Sequence, residues 1–342
     1  MSNKQRWVLI IGVISTLILG VFAFASAAPT TQREGNCVLE VTDSGWTTTC
    51  TNVATPTPTP STTPTTAPTT APTTVPPTTP PASTTTTVPV TPTTTTSGPM
   101  LNCAALPSRC GFPDATNTGV PAGTTLTPFT GNITAGMVIN GKTLGCQTIS
   151  VANVTIRNSR VSGQCFWVIR SNSSGLIIED SELSCNGSTG SGIGGAGYIV
   201  RRTEITGCEN GAIMDRNASV VDSYVHDMFL GNGGHTDSLQ VYGGATNILI
   251  QHNTLFNENN GGTSAIIADN DGMTNVNIKS NLLAGGAYTL YCPTTTAGET
   301  TNNRISKKFK ANGGQYGPWI HCELANPRTG NVWDETNQAI PF

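Results

Sequence analysis

The C-terminal two thirds of the chain repeat one short pattern of aliphatic and polar positions. Each copy opens with an aliphatic residue, has a small polar residue three positions on, and closes with a second aliphatic residue five positions on. The copies open at Ile156, Ile178, Val200, Val220, Ile250 and Ile278, and close at Val161, Leu183, Ile205, Val225, Leu255 and Leu283. The string TNNRI at 301–305 is a weaker seventh copy. A pattern that returns in this way indicates a repeat architecture, in which each unit packs on its neighbours.

The polar positions within the copies favour strands over helices. The third position is a column of small hydrogen-bonding residues: Ser159, Ser181, Thr203, Ser223, Asn253 and Asn281. Such side chains can satisfy the backbone of a neighbouring repeat. The residues between copies are mainly Gly, Asn, Ser and Thr, which are not the helix formers of a leucine-rich repeat. The pattern therefore predicts an all-β, single-stranded parallel β-helix of about seven or eight coils, spaced about 4.8 Å apart. Segments 102–126 and 330–340 are predicted to cover its two ends.

Composition divides the remaining chain into three segments. Residues 1–28 place Lys4 and Arg6 before an apolar run and a small-residue end, which is typical of a secretory signal peptide. That run is also nearly long enough to be an uncleaved membrane anchor. Residues 29–53 predict a short hairpin closed by a disulfide, and residues 54–98, almost entirely Thr, Pro, Ser, Ala and Val, predict a disordered linker. Residues 99–342 form the repeat domain, and we expect an extracellular protein.

The cysteines support this compartment and test the repeat register. Ten cysteines after an export signal indicate disulfides, and none has the spacing of a zinc site. In the predicted register, Cys146 and Cys165 lie on successive coils, as do Cys185 and Cys208. We predict the bridges Cys37–Cys50, Cys103–Cys110, Cys146–Cys165, Cys185–Cys208 and Cys292–Cys322.

The repeat domain resembles a known group of proteins. The phrases NVTIRNSRV, GLIIEDSEL and NILIQHNTL, the block HTDSLQVYGG and the lead-in FPDATNTGVPAGTTL are similar to secreted bacterial right-handed parallel β-helix proteins of the pectate-lyase-like superfamily. The resemblance covers residues 103–342. It implies a right-handed β-helix whose partner is a polysaccharide or a cell-surface glycan. It leaves the activity open, because the superfamily includes lyases, hydrolases, isomerases and non-catalytic binders.

A break in the repeat marks the candidate site. The interval between copies is 20 to 22 residues at first, then 30 and 28. The longest interval contains HTDSLQ at 235–240, and a loop at 226–235 brings further His and Asp residues towards it. The inward positions of this strand and its neighbours are predicted to be Ile193, Ile213, Leu239, Ile266 and Leu290. Alternation then turns outward Ser238, Gln240, Tyr242, Met214, Arg216, Ile267, Asp269 and Tyr291.

Several residue types in this region suit chemistry on a sugar. The predicted catalytic residues are His235, Asp237, Tyr242, Arg216 and Asp269, of which the last three would form one column. The predicted substrate-binding residues are Gln240, Ser238, Met214, Tyr291, His226 and Trp167. Asp237 shares the direction of Leu239, so a role in satisfying a turn is the alternative for it. Asp269 and Asp271 either ligate Ca²⁺, the one candidate cofactor, or form a turn.

Three functions are compatible with these residues, and we expect the first, with the other two as alternatives. The first is a lyase that cleaves an acidic glycan by β-elimination, which needs a cation, a base and an acid. The second is a glycoside hydrolase that uses Asp237 and Asp269 as its two carboxyl groups. The third is a non-catalytic module that binds a glycan or a cell surface. The net charge of −3, with no Lys/Arg-rich run, gives no footprint for nucleic acid. No protein partner is indicated, and we expect a monomer.

Overall fold

The fold is seen in a computed structural model that describes residues 30–34, 37–42, 45–50 and 102–341, without 232–233, 294–296 and 325–326. Side chains are described from residue 102 onward. The predicted signal peptide and linker lie outside the described residues. Among those that are described, no helix is long and apolar enough to span a membrane.

A first, antiparallel sheet contains the predicted hairpin. Its strands are β1 (Thr30–Glu34), β2 (Cys37–Thr42) and β3 (Gly45–Cys50). β2 and β3 are the two predicted strands, and β1 adds a third that the sequence did not indicate. Cys37 lies opposite Cys50 in the register, but the predicted bridge between them lies outside the described side chains.

All other strands belong to one parallel sheet, which is compatible with the predicted parallel β-helix. The strands of its first half are β4 (Thr127–Pro128), β5 (Val138–Asn140), β6 (Lys142–Leu144), β7 (Gln147–Ile149), β8 (Thr155–Arg157), β9 (Arg160–Ser162), β10 (Trp167–Ser171), β11 (Leu176–Glu179), β12 (Glu182–Gly195), β13 (Tyr198–Arg201) and β14 (Glu204–Val221). Those of its second half are β15 (Tyr224–His226), β16 (Asp237–Gln251), β17 (Thr254–Asn257), β18 (Ser264–Ile267), β19 (Thr274–Lys279), β20 (Leu282–Gly285), β21 (Tyr288–Tyr291), β22 (Thr300–Thr301), β23 (Arg304–Ser306), β24 (Gly317–Ile320) and β25 (Val332–Trp333). Three short 3₁₀ helices span Cys103–Ala105, Pro107–Cys110 and Cys322–Leu324.

The two predicted aliphatic columns are confirmed. The opening residues pair in register from Ile156 to Ile278, and the closing residues pair from Val161 to Leu283. Every member of both columns is fully buried, and all of them belong to the main hydrophobic core. The weak copy at 301–305 is also real, because Ile305 pairs with Leu283. Burial of this continuous apolar interior is the main favourable contribution to stability.

The polar column runs beside the core and joins successive repeats. The backbone N–H of Ser223 donates to Oδ1 of Asn253, and the same bond recurs from Asn253 to Asn281 at 3.0 Å. It continues through Asn303 to Asn331, beyond the predicted set. The residue just before each column member lies in the left-handed region; these residues are Asn158, Asp180, Arg202, Asp222, His252, Ser280 and Asn302. A sharp corner therefore recurs in each repeat, and Asn and Asp are favoured there because they tolerate this conformation.

Four predicted disulfides are confirmed. Cys103–Cys110 closes a local loop, and the other three, Cys146–Cys165, Cys185–Cys208 and Cys292–Cys322, join neighbouring repeats. Their Cα–Cα distances are 4.8 to 6.5 Å, within the range that a disulfide allows. Multiple disulfides are typical of proteins that fold in an oxidising compartment.

The prediction that segment 102–126 covers one end of the stack was wrong for most of its length. Residues 103–119 form a strap that crosses the side of the stack. At one end the N–H of Ala104 donates to the carboxylate of Asp334 at 2.8 Å. Further along, Phe112 stacks on His252, and the N–H of Gly119 donates to the carbonyl of Arg202. The apolar side chains of the strap pack on Phe256, Leu282 and Ala284, which point away from the main core. The prediction that segment 330–340 covers the other end of the stack agrees with the hydrogen bond that the N–H of Ile340 donates to the carbonyl of Asn331.

Removing one amide from the polar column should destabilise the protein strongly. Oδ1 of Asn281 accepts from both the N–H and the side-chain amide of Asn253, and its own amide donates to the carbonyl of Ile250. Asn281→Ala leaves these buried groups unpaired, so we expect the free energy of unfolding to fall by roughly 3 kcal/mol. Urea denaturation measures this, and the exposed Asn132→Ala should change it by less than about 0.5 kcal/mol.

The strap should depend on a single buried carboxylate. The side chain of Asp334 is fully buried and binds both the Ala104 N–H and Nε of Arg304, each at 2.8 Å. Asp334→Ala should lower the free energy of unfolding by roughly 2 to 3 kcal/mol, because a guanidinium loses its counterion. Tryptic cleavage after Arg109 should also become faster. Unchanged cleavage would show that the strap is held by its other contacts, and the exposed Asp271→Asn is the control.

Candidate functional site

In one repeat, the inward-facing position of the strand beside the site lies one residue before the predicted one. The inward column is Ile193, Ala212, Leu239, Ile266 and Leu290, so Ala212 replaces the predicted Ile213. Met214, predicted to face outward, is therefore fully buried and pairs with Val241. Ser238 was also predicted outward but is fully buried, and its Oγ donates to the carbonyl of Phe256 at 3.1 Å. Neither Met214 nor Ser238 is placed to contact a ligand.

The residues one position after the inward column form the outer face of the sheet, which is partly exposed except at Gly194 and Ile213, where it is buried. This outer column is Arg170, Gly194, Ile213, Gln240, Ile267, Tyr291 and Ile320, all paired in register. Gln240 and Tyr291 are thus in the column in which they were predicted to lie. With about 4.8 Å between neighbouring strands, the seven positions extend over roughly 29 Å.

Aromatic rings lie at both ends of the outer column. Near Arg170, the ring of Trp167 occupies the space where a Cβ on Gly194 would be, and the Arg170 guanidinium lies 4.9 Å from its centre. Phe166 packs edge-on against Trp167 and is 70% exposed. At the other end, Tyr291 packs edge-on against Tyr288, whose ring lies 5.8 Å from that of the exposed Tyr316. Aromatic rings of this kind suit the flat faces of sugar rings.

The predicted column of Arg216, Tyr242 and Asp269 does not form. The register shifts between Met214 and Arg216, so that Arg216 lies opposite Thr246 and residues 242–245 bulge from the sheet. Tyr242 is exposed on this bulge, where Gly243 approaches the backbone of Asp271. Alternation could not reveal the bulge, because only the glycines at 243 and 244 signalled it.

Asp237 is a buried carboxyl. Its side chain is 1% exposed, and the hydroxyl of Ser264 donates to Oδ1 at 2.5 Å. Burial raises the pKa of Asp237 to about 7, against the opposing effect of the Ser264 bond, and the charge of Asp269 raises it further. A substantial fraction of this carboxyl therefore keeps its proton near neutral pH, a state that suits a general acid.

Asp269 lies two residues after the end of β18 and has a partner that the sequence did not indicate. Oδ2 of Asp269 lies 3.2 Å from Nδ1 of His321, which follows the end of β24. The only feature of the sequence that marked His321 was its position next to Cys322, a residue of a predicted disulfide. Asp271, its predicted partner in a calcium site, is exposed. Among the described residues, no group of three or more His, Cys, Asp or Glu side chains is arranged to hold a metal ion.

The two loop histidines do not meet. His235 is exposed, with Nδ1 3.2 Å from the Thr263 hydroxyl. His226 lies on a different strand, β15, where Nε2 is 2.9 Å from Glu204 and Nδ1 is 3.0 Å from Asp227. Its ring also stacks on Tyr224 at 3.9 Å. The sequence placed both histidines at the rim of β16, but only His235 is there.

No protein-family model matches this chain, and comparisons with curated proteins and with solved structures return no match. The chemistry available at the site follows from its own side chains. These are one buried carboxyl, one carboxylate paired with a histidine, and aromatic rings at the two ends of the outer column. They can supply a proton, an ionised oxygen and stacking surfaces.

The protonation of Asp237 can be tested through stability. The pKa is about 7 in the fold and near 3.9 in the unfolded chain, so only the folded protein holds this proton between about pH 4 and pH 7. Its contribution to stability is complete below pH 4 and is lost as the pH rises through 7. We expect the free energy of unfolding of the wild type, relative to Asp237→Asn, to fall by up to about 4 kcal/mol over this range. Urea midpoints at four pH values would measure it, and a constant difference would mean that Asp237 is ionised in the fold.

Proposed function

We propose that strands β4–β25 form a right-handed parallel β-helix of seven or eight coils of the pectate-lyase-like kind, exported to an extracellular setting. Support comes from the parallel pairing in register, the polar column with its recurring left-handed corner, and the disulfides between neighbouring repeats. The sequence phrases that resemble this superfamily lie in the same strands.

The chain is further proposed to bind a polysaccharide along the outer column and to hydrolyse its glycosidic bonds. The observation that carries this proposal is the electrostatic coupling of two carboxyl groups in unlike environments, because the charge of Asp269 raises the pKa of the buried Asp237. Burial raises the pKa of Asp237 to about 7, which suits the acid that protonates a leaving oxygen. Asp269, with His321 at 3.2 Å, would supply the ionised carboxylate. Hydrolysis of a glycoside requires such a pair.

A hydrolase fits these side chains better than the lyase that the sequence favoured. Elimination needs a cation beside a base, and Arg216 is not in register with Tyr242 or Asp269. The side chains near Asp237 that influence its ionisation are acidic, namely Asp269 and Glu209. An acidic surrounding disfavours the uronate carboxylate that a lyase must hold. Cleavage by elimination stays a prediction, and the analysis of reaction products described below would test it.

Non-catalytic glycan binding is the second candidate, and the burial of Asp237 favours it. At 1% exposure the carboxyl must become accessible before it can protonate a substrate. If Ser264 and Asp237 only satisfy each other, the aromatic rings would still form a binding face.

Substitution of the two carboxyl groups tests the proposal. Asp237→Asn and Asp269→Asn should each lower the release of reducing ends from a responsive polysaccharide by about a hundredfold or more, because the acid or the ionised oxygen is lost. Asp271→Asn is the matched comparison, two residues from Asp269 and exposed; it should keep full activity under the proposed hydrolysis, and its loss of activity would favour the calcium alternative. Far-ultraviolet circular dichroism would confirm that each variant is folded.

Other outcomes separate the alternatives. Products with a carbon–carbon double bond, seen by their ultraviolet absorbance, would replace hydrolysis with elimination. Activity lost on chelation and restored by Ca²⁺ would support a calcium role for Asp269 and Asp271. Binding without turnover by any variant, over a broad panel of glycans, would favour the binding module.

A further inference from the structure

A polar cleft lies beside the Arg170 end of the outer column and takes no part in the proposed chemistry. It has a volume of about 520 Å³ and follows the turns after β10, β12 and the middle of β14. Its walls include Arg170, Asn172, Asp215 and Arg216. Arg170 belongs to the outer column as well, so a chain bound on that face continues directly into the cleft.

The floor of the cleft is kept open by the smallest side chains. Residues 195–197 are Gly, Ala and Gly, and both glycines have positive φ. A Cβ on Gly195 would lie 2.1 Å from the carbonyl oxygen of Ser171, and one on Gly197 would lie 2.8 Å from that of Ser173. Larger residues therefore cannot replace them without moving the neighbouring turn. The space above them remains accessible from solvent.

The cleft carries two guanidinium groups against one carboxylate. Arg170 is held by a bond from Nε to Oδ1 of Asn172 at 3.0 Å and by the ring of Trp167. These contacts fix its guanidinium while leaving its two terminal nitrogens as donors. Arg216 is exposed, and within the described residues its guanidinium has no hydrogen-bond or ion-pair partner. Asp215 is the single acidic residue of the lining.

We propose that this cleft binds an anionic substituent, a carboxylate or a sulfate ester, on a sugar residue of the bound glycan. Guanidinium groups form paired hydrogen bonds with both kinds of oxyanion. The exposed ring of Phe166 and the partly buried ring of Trp167, next to Arg170, would stack on the sugar that carries the substituent. This inference rests on the proposed glycan binding and adds a substrate class to it. It separates charge recognition from Asp237 and Asp269, which do not line the cleft.

Affinity electrophoresis tests the cleft without requiring turnover. Gels would contain polygalacturonate, dextran sulfate or neutral dextran, which present a carboxylate, a sulfate ester or no charge. We expect wild-type protein to be retarded by at least one of the anionic polymers. The double variant Arg170→Gln/Arg216→Gln should bind that polymer at least about tenfold more weakly. The single variant Arg170→Gln should also weaken binding, and Arg157→Gln, which removes one exposed arginine outside the cleft lining, is its charge-matched control and should retain binding.

Each result bears on the cleft separately from the hydrolase proposal. Equal weakening by Arg157→Gln, or no retardation by either anionic polymer, would overturn the cleft assignment. Retardation by neutral dextran alone would also overturn the cleft assignment, but it would still support glycan binding. Polygalacturonate and dextran sulfate distinguish a carboxylate from a sulfate ester as the recognised group. If the double variant unfolds at the same temperature as the wild type, its weaker binding does not result from loss of the folded structure.

Discussion

The stacking of this domain depends on one constraint, that backbone N–H groups buried at each corner find an acceptor in the next repeat. Asn253, Asn281 and Asn303 meet it by placing a side-chain oxygen under the backbone of the preceding repeat. A donor left unpaired in this dry interior would cost more than the bond itself contributes. The left-handed residue before each column member directs the chain around the corner, so the hydrogen-bonding column and the turn geometry are one feature.

The sequence was sufficient to predict this part of the fold, because interior positions repeat with the same chemistry. The aliphatic columns, the polar column and four disulfides all occur in the predicted register. A residue such as Leu183 can only be apolar, since it lies between other apolar side chains in a closed interior. The residue type at such a position therefore indicates that the position is buried. The strap was not predictable in the same way, because it is not part of the repeat.

The site was harder to predict because it lies where the repeat is broken. One inward position is held by the small Ala212, next to the larger Ile213. The prediction placed Ile213 inward because it is the more hydrophobic of the two, and this was wrong. The bulge after Tyr242 then separated side chains that strict alternation had aligned. His321 reaches Asp269 from a distant part of the chain, and no local pattern encodes that contact. Asp237 and Tyr291 were identified by residue type and strand, but the burial of Asp237 followed from packing.

The strap changes how such a stack should come apart. A linear array of repeats can fray from either end, because each unit touches only its neighbours. Here Ala104 is bonded to Asp334, 230 residues later, while the same segment reaches Arg202 in the middle of the stack. The strap therefore ties the last repeats to earlier ones, and loosening the C-terminal end also releases contacts along the side. We infer that this domain unfolds more cooperatively than an open solenoid of the same length, with a higher barrier to forming the final contacts.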